Sequence, residues 1–153
     1  MNKFVASLMA AMAGGIAIVA GFTLDQPADA RSASSVLGPG RVRVELDIDY
    51  SAYSTAAIEV YEGTLVEFVV RNHDPINHEL VVGGPEVHAR HRIGNEAAHP
   101  PIPGELSLAP DAVGLTIFRF DEPGVVEFAC HLQGHYDYGM RGMIEVLPIP
   151  IAR

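Results

Sequence analysis

The chain has 153 residues, 48% hydrophobic and 19% charged, with a formal net charge of −9, a single cysteine and no tryptophan. That length holds one domain, or one domain with a processed segment, and the acidic balance offers no basic footprint to a nucleic-acid backbone. One thiol, Cys130, cannot close an internal disulfide, so it is free, paired with another molecule or bound to something.

The first feature along the chain is an address. Lys3 precedes an almost uncharged apolar run from Phe4 to Leu24, and Ala28-Asp29-Ala30 follows. Small residues at the first and third places before a scissile bond suit a signal peptidase, so residues 1–30 read as a signal peptide. The expectation is an exported protein, periplasmic or at the cell exterior. The run is also long enough to cross a bilayer, so an uncleaved anchor is the alternative and the only way a membrane enters. An exported compartment oxidises bare thiols, which makes an occupied Cys130 the expectation.

Residues 31–40 read as a flexible lead into one domain over 41–153. From Arg41, residues Val42, Val44, Leu46, Ile48 and Tyr50 alternate with Arg43, Glu45, Asp47 and Asp49, the period of a half-buried strand. Ile58 and Val60 alternate before a Glu62-Gly63 turn signal, and Val66, Phe68 and Val70 after it. Short strands follow at Glu79–Val82, at Leu115–Phe120, at Val126–Phe128 leading into Cys130, and at Met143–Val146. This spacing predicts an all-β fold, an antiparallel Greek-key sandwich of seven or eight strands. Residues 83–105, rich in proline and histidine, read as a long loop insertion, with a short helix near Glu86 to Arg92.

The densest chemistry is Cys130-x4-His135-x4-Met140, a thiolate, an imidazole and a thioether where one strand ends and the loop to the next begins. Such soft donors suit copper, and two histidines with a cysteine and a weak axial methionine make a blue-copper electron-transfer set. The second histidine is His78, just before a strand and some 50 residues upstream. Met143 is the rival axial ligand, read instead as a core residue of the last strand.

Asn77-His78-Glu79-Leu80, then Pro123-Gly124 with Glu127-Phe128-Ala129-Cys130, and the His135 and Met140 loop together resemble the cupredoxins, the small blue-copper proteins related to plastocyanin, azurin and rusticyanin. The resemblance covers roughly Arg41 to Val146. It implies one type 1 copper held by His78, Cys130, His135 and Met140, with electrons leaving through His135 and docking beside Tyr136 and Tyr138. Plastocyanin-like proteins commonly carry Asn directly after the first histidine ligand, where this chain has Glu79; groups behind the ligands tune a metal.

His131 follows Cys130 as it does in multicopper oxidases, but Ala129 stands before the cysteine and no His-x-His pair occurs. A trinuclear cluster is therefore excluded on ligand count. His88, His91 and His99 read as a solvated polar loop, or as a weak second Cu or Zn site, and His73 beside Asp74-Pro75 as turn chemistry. The leading function is a single-electron carrier whose redox partner has a basic docking surface. The alternative is a copper-binding protein for tolerance, storage or delivery; a catalytic copper enzyme needs an open coordination position and additional ligands, at which only His131 hints.

Overall fold

The computed structural model describes residues 35–93 and 100–151; the expected signal peptide and His99 lie outside them. Nine strands and one helix follow in chain order: β1 (Arg41–Asp49), β2 (Ala52–Tyr53), β3 (Ala57–Tyr61), β4 (Thr64–Asn72), β5 (His78–Gly83), α1 (Pro85–Arg92), β6 (Glu105–Leu108), β7 (Val113–Phe120), β8 (Gly124–Ala129) and β9 (Arg141–Leu147). They form two sheets, β2-β1-β4-β7 and β3-β9-β8-β5-β6.

The alternating residues form the core between them. Leu46, Ile48, Val66 and Phe68 come from the first sheet and Val60, Leu80, Phe128 and Ile144 from the second, all almost fully buried in one cluster. Burying side chains of this size contributes about 1.5–3 kcal/mol each. Gly63, at φ 78°, turns the chain between β3 and β4, which do not pair with each other but enter opposite sheets.

That crossing corrects one expectation. β1 runs parallel to β4, with Val44 opposite Phe68, and β3 runs parallel to β9, with Ile58 opposite Ile144. Both sheets are therefore mixed, because a period of two reports which face is buried and not strand direction. β2 and β6, the strands without a counterpart in the sequence reading, are too short to show a period. Tyr50 leaves the β1 face in a left-handed turn and is 91% exposed. Leu37, in the lead expected to be flexible, bridges to Val60 and packs on the core.

The insertion holds α1. Pro85 opens it, Glu86 lies in its first turn and Arg90, His91 and Arg92 in its last, each placed as the helix dipole favours. Its buried residues are histidines, His88 and His91. The helix packs on β5, a strand between β8 and β6 whose six residues are all buried. Leu80 and Val82 face the core; Glu79 points the other way and meets α1 through His91.

Candidate metal centre

The start of β5 and the end of β8 meet at one end of the second sheet, where Val81 is paired with Ala129. This brings His78, the first residue of β5, beside Cys130, the residue after β8. The loop from Cys130 to Met140 closes on itself: the Cys130 N–H donates to Met140 O at 3.1 Å, the Met140 N–H to His135 O at 3.0 Å and the His135 N–H to Leu132 O at 2.9 Å. Gly134, at φ 85°, supplies the left-handed backbone such a tight loop needs.

Three expected donors converge. Ligand atoms of His78, Cys130 and His135 lie within 4.8 Å of one another, and Cys130 Sγ is 3.3 Å from His135 Nδ1. The His78 and His135 rings face each other at 4.8 Å. Met140 is buried in the same cluster as Cys130 and tied to it by the backbone bond. Met143 is 49% exposed on the outer face of β9, so it is neither an axial ligand nor the core residue that its strand suggested.

Two imidazoles are held ready for a cation. His78 Nε2 lies 2.8 Å from Asp74 Oδ2, which places the ring proton on Nε2 and a lone pair on Nδ1. That Nδ1 is buried and has no partner. Burial pushes the Cys130 thiol up to about 12, opposed by backbone N–H groups of Glu79 and Leu132 at the sulfur. Burial, and then the neighbouring His78, lower the pKa of His135, which favours the neutral imidazole that ligates. An orphaned imidazole nitrogen beside a buried thiol, a second imidazole and a thioether is a donor set that fits copper.

Asp74 was legible only as part of a turn. Its carboxylate also accepts the N–H groups of Tyr50 and Ser51 at 2.8 and 2.7 Å. Burial opposes its ionisation, but these bonds and His78 outweigh that and hold its pKa below the ordinary value.

His88 and His91 are not part of a solvated loop: they are 2% and 4% exposed. His88 Nδ1 is 2.8 Å from His131 Nε2, whereas His91 sits between Glu79 and Glu105, so the two meet different partners. Burial, then His88, lowers the His131 pKa to about 4. Tyr136 stacks on His131 and donates its hydroxyl to Glu127, which turns it inward. Tyr138, 91% exposed, lines a groove of about 510 Å³ with Tyr50, Gln133 and His135.

No family model matches the chain. It is 32% identical over 124 residues to the copper-resistant cuproprotein CopI of Rubrivivax gelatinosus, a match spanning 79% of this chain and 72% of the relative. The chain belongs to the CopI cuproprotein family. A second CopI, from Pseudomonas aeruginosa, is 25% identical over 161 residues, 84% of each chain. Among solved structures, the dithionite-reduced auracyanin of Roseiflexus castenholzii superposes with a TM-score of 0.58 at 26% identity, over 69% of this chain and 97% of that one. This CopI-family chain is thus a cupredoxin in fold, and its converging donors lie where the Cys-x4-His-x4-Met loop meets β5.

Proposed function

We propose that this CopI-family cupredoxin carries single electrons on one copper ion, which His78, Cys130, His135 and Met140 would hold. The observation behind this reading is the buried, unpartnered His78 Nδ1 beside thiol and imidazole donors within 4.8 Å. Copper bound there supplies a one-electron couple. The chain's part is to hold the donors still. Asp74 orients His78, and the Cys130–Met140 backbone bond closes the loop that carries the others, so little rearranges between oxidation states.

His135, the half-exposed donor, opens on the groove with Tyr50 and Tyr138 and is the exit to a redox partner. An acidic chain favours a basic docking surface, with association weakened by salt. Export rests on the apolar run and the Ala28-Asp29-Ala30 site; among the described residues no helix is long and apolar enough to cross a membrane.

A second reading, that the bound copper serves tolerance, is favoured by the relatives, which are named copper-resistant cuproproteins. Neither reading requires substrate chemistry at the metal. Copper loading with a metal count, a visible spectrum and a redox titration tests the centre. One copper per chain, intense thiolate absorption and reversible cycling support the carrier. Several weakly held ions without that band overturn it. Loss of copper tolerance on deleting the gene, restored by the wild type and not by Cys130→Ser, assigns the second role.

A further inference from the structure

We infer that Glu79, whose carboxylate accepts the His131 N–H, is a positioning residue whose buried charge biases the copper site toward the oxidised ion, with α1 holding that carboxylate in place. The inference rests on the copper reading above. Glu79 follows His78 directly, and its backbone N–H reaches the Cys130 sulfur. Its side chain reaches further: Oε1 accepts the His131 N–H at 2.7 Å. One residue thereby links the β5 donor to the segment after β8.

A neutral amide makes the same link without charge. The carboxylate adds a buried anion, 8% exposed, where little solvent screens it. A buried carboxylate is costly unless its lone pairs are met, and here a built network meets them. Oε2 is 3.3 Å from His91 Nδ1, and the other ring nitrogen of His91 is 2.8 Å from Glu105 Oε2. Glu105 is in turn bound by Arg90. The inserted helix thus wedges an imidazole between carboxylates of β5 and β6, two strands already paired at Val81 and Glu105.

The sign follows from charge. With one thiolate and neutral imidazoles, the oxidised site carries one more positive charge than the reduced site. A fixed anion beside the sulfur stabilises that form more and lowers the reduction potential. The same field opposes ionisation of the Cys130 thiol in the metal-free chain.

The test compares Glu79→Gln, which keeps size and acceptor but drops the charge, with Glu79→Ala, which drops both. In copper-loaded protein, Glu79→Gln should shift the preference toward Cu(I) by at least about tenfold, a rise of about 59 mV for a one-electron couple. Glu79→Asn, a second charge-removing variant, should move the potential in the same direction. In metal-free protein, hydrogen exchange of the His131 amide should speed up at least about tenfold in Glu79→Ala and stay unchanged in Glu79→Gln. A purely structural role moves the exchange and leaves the Gln potential where it was. An unmoved or lowered potential in both amide variants overturns the electrostatic role, and unchanged exchange in Glu79→Ala overturns the tie. A wild-type protein that takes up no copper at Cys130 sinks the copper reading instead, and the exchange arm still reports on the tie.

Discussion

His78 directs its Nε2 to the Asp74 carboxylate, 2.8 Å away and four residues earlier, and so presents an unpartnered Nδ1 to the buried centre of the site. Asp74 makes this contact while accepting the N–H groups of Tyr50 and Ser51, whose left-handed backbone lies at φ 50° and 55°. Such a conformation costs about 1–2 kcal/mol per non-glycine residue, and the carboxylate offsets it. One acidic side chain therefore holds both the turn after β1 and the first donor of β5.

Removing that charge should loosen the metal. Asp74→Asn keeps an acceptor for the turn but loses the carboxylate that fixes the His78 ring. Copper affinity is expected to fall about 10–100-fold, read by competition with a chromophoric chelator. Unchanged affinity would show that the ring is oriented by packing alone.

The two sulfur donors should separate cleanly. Cys130→Ser removes the thiolate and with it the intense visible absorption. Met140→Leu keeps that absorption and raises the potential, since the thioether lends electron density to the oxidised ion more than to the reduced one. A spectrum and a redox titration on each variant check both outcomes. Colour persisting in Cys130→Ser would place the centre elsewhere.

The buried thiol sets a pH dependence in the metal-free protein. Its pKa rises from an ordinary 9.0 to about 12 on folding, so below the ordinary value both states hold the proton and the stability is fully present. Between the two values only the unfolded state loses it, and stability falls by up to about 1.4 kcal/mol per pH unit until the folded thiol also ionises. Denaturant unfolding at about pH 8 and about pH 10 should show a loss of about 1 kcal/mol in the wild type beyond that in Cys130→Ser. Equal losses in both chains would contradict the burial argument.

Gly142 lies opposite Phe128 in the β8–β9 pair. A Cβ there would sit 2.2 Å from Phe128 Cζ and 2.7 Å from the Ala56 carbonyl oxygen. Gly142→Ala should therefore displace a fully buried ring two residues before Cys130, at a cost of about 1–3 kcal/mol. Urea unfolding measures the loss, and a shifted or broadened copper band would report that the displacement reaches the thiol.

Much of the site is legible in the sequence because its chemistry is local. Cys130, His135 and Met140 share one loop, and their spacing brings them together through short-range backbone bonds. The burial of His88 and His91 is hidden for the opposite reason. A histidine-bearing helix with polar composition looks solvated until the strand it covers is known. Glu105, in a strand of four residues, carries no pattern of its own.

The sequence alone determined the alternating faces that bury a β core, and the residue types of the candidate centre. Both follow from residue identity and near-neighbour spacing. Tertiary structure decided which strands run parallel, because alternation is the same in either direction. It also decided which residues stand behind the donors. Asp74 reaches the site through the turn before β5 and Glu79 beside the β5–β8 pair, whereas His91 and Glu105 meet Glu79 only after β5 pairs with β6 and α1 packs on β5. A buried carboxylate or imidazole takes its role from the partner that the fold brings to it.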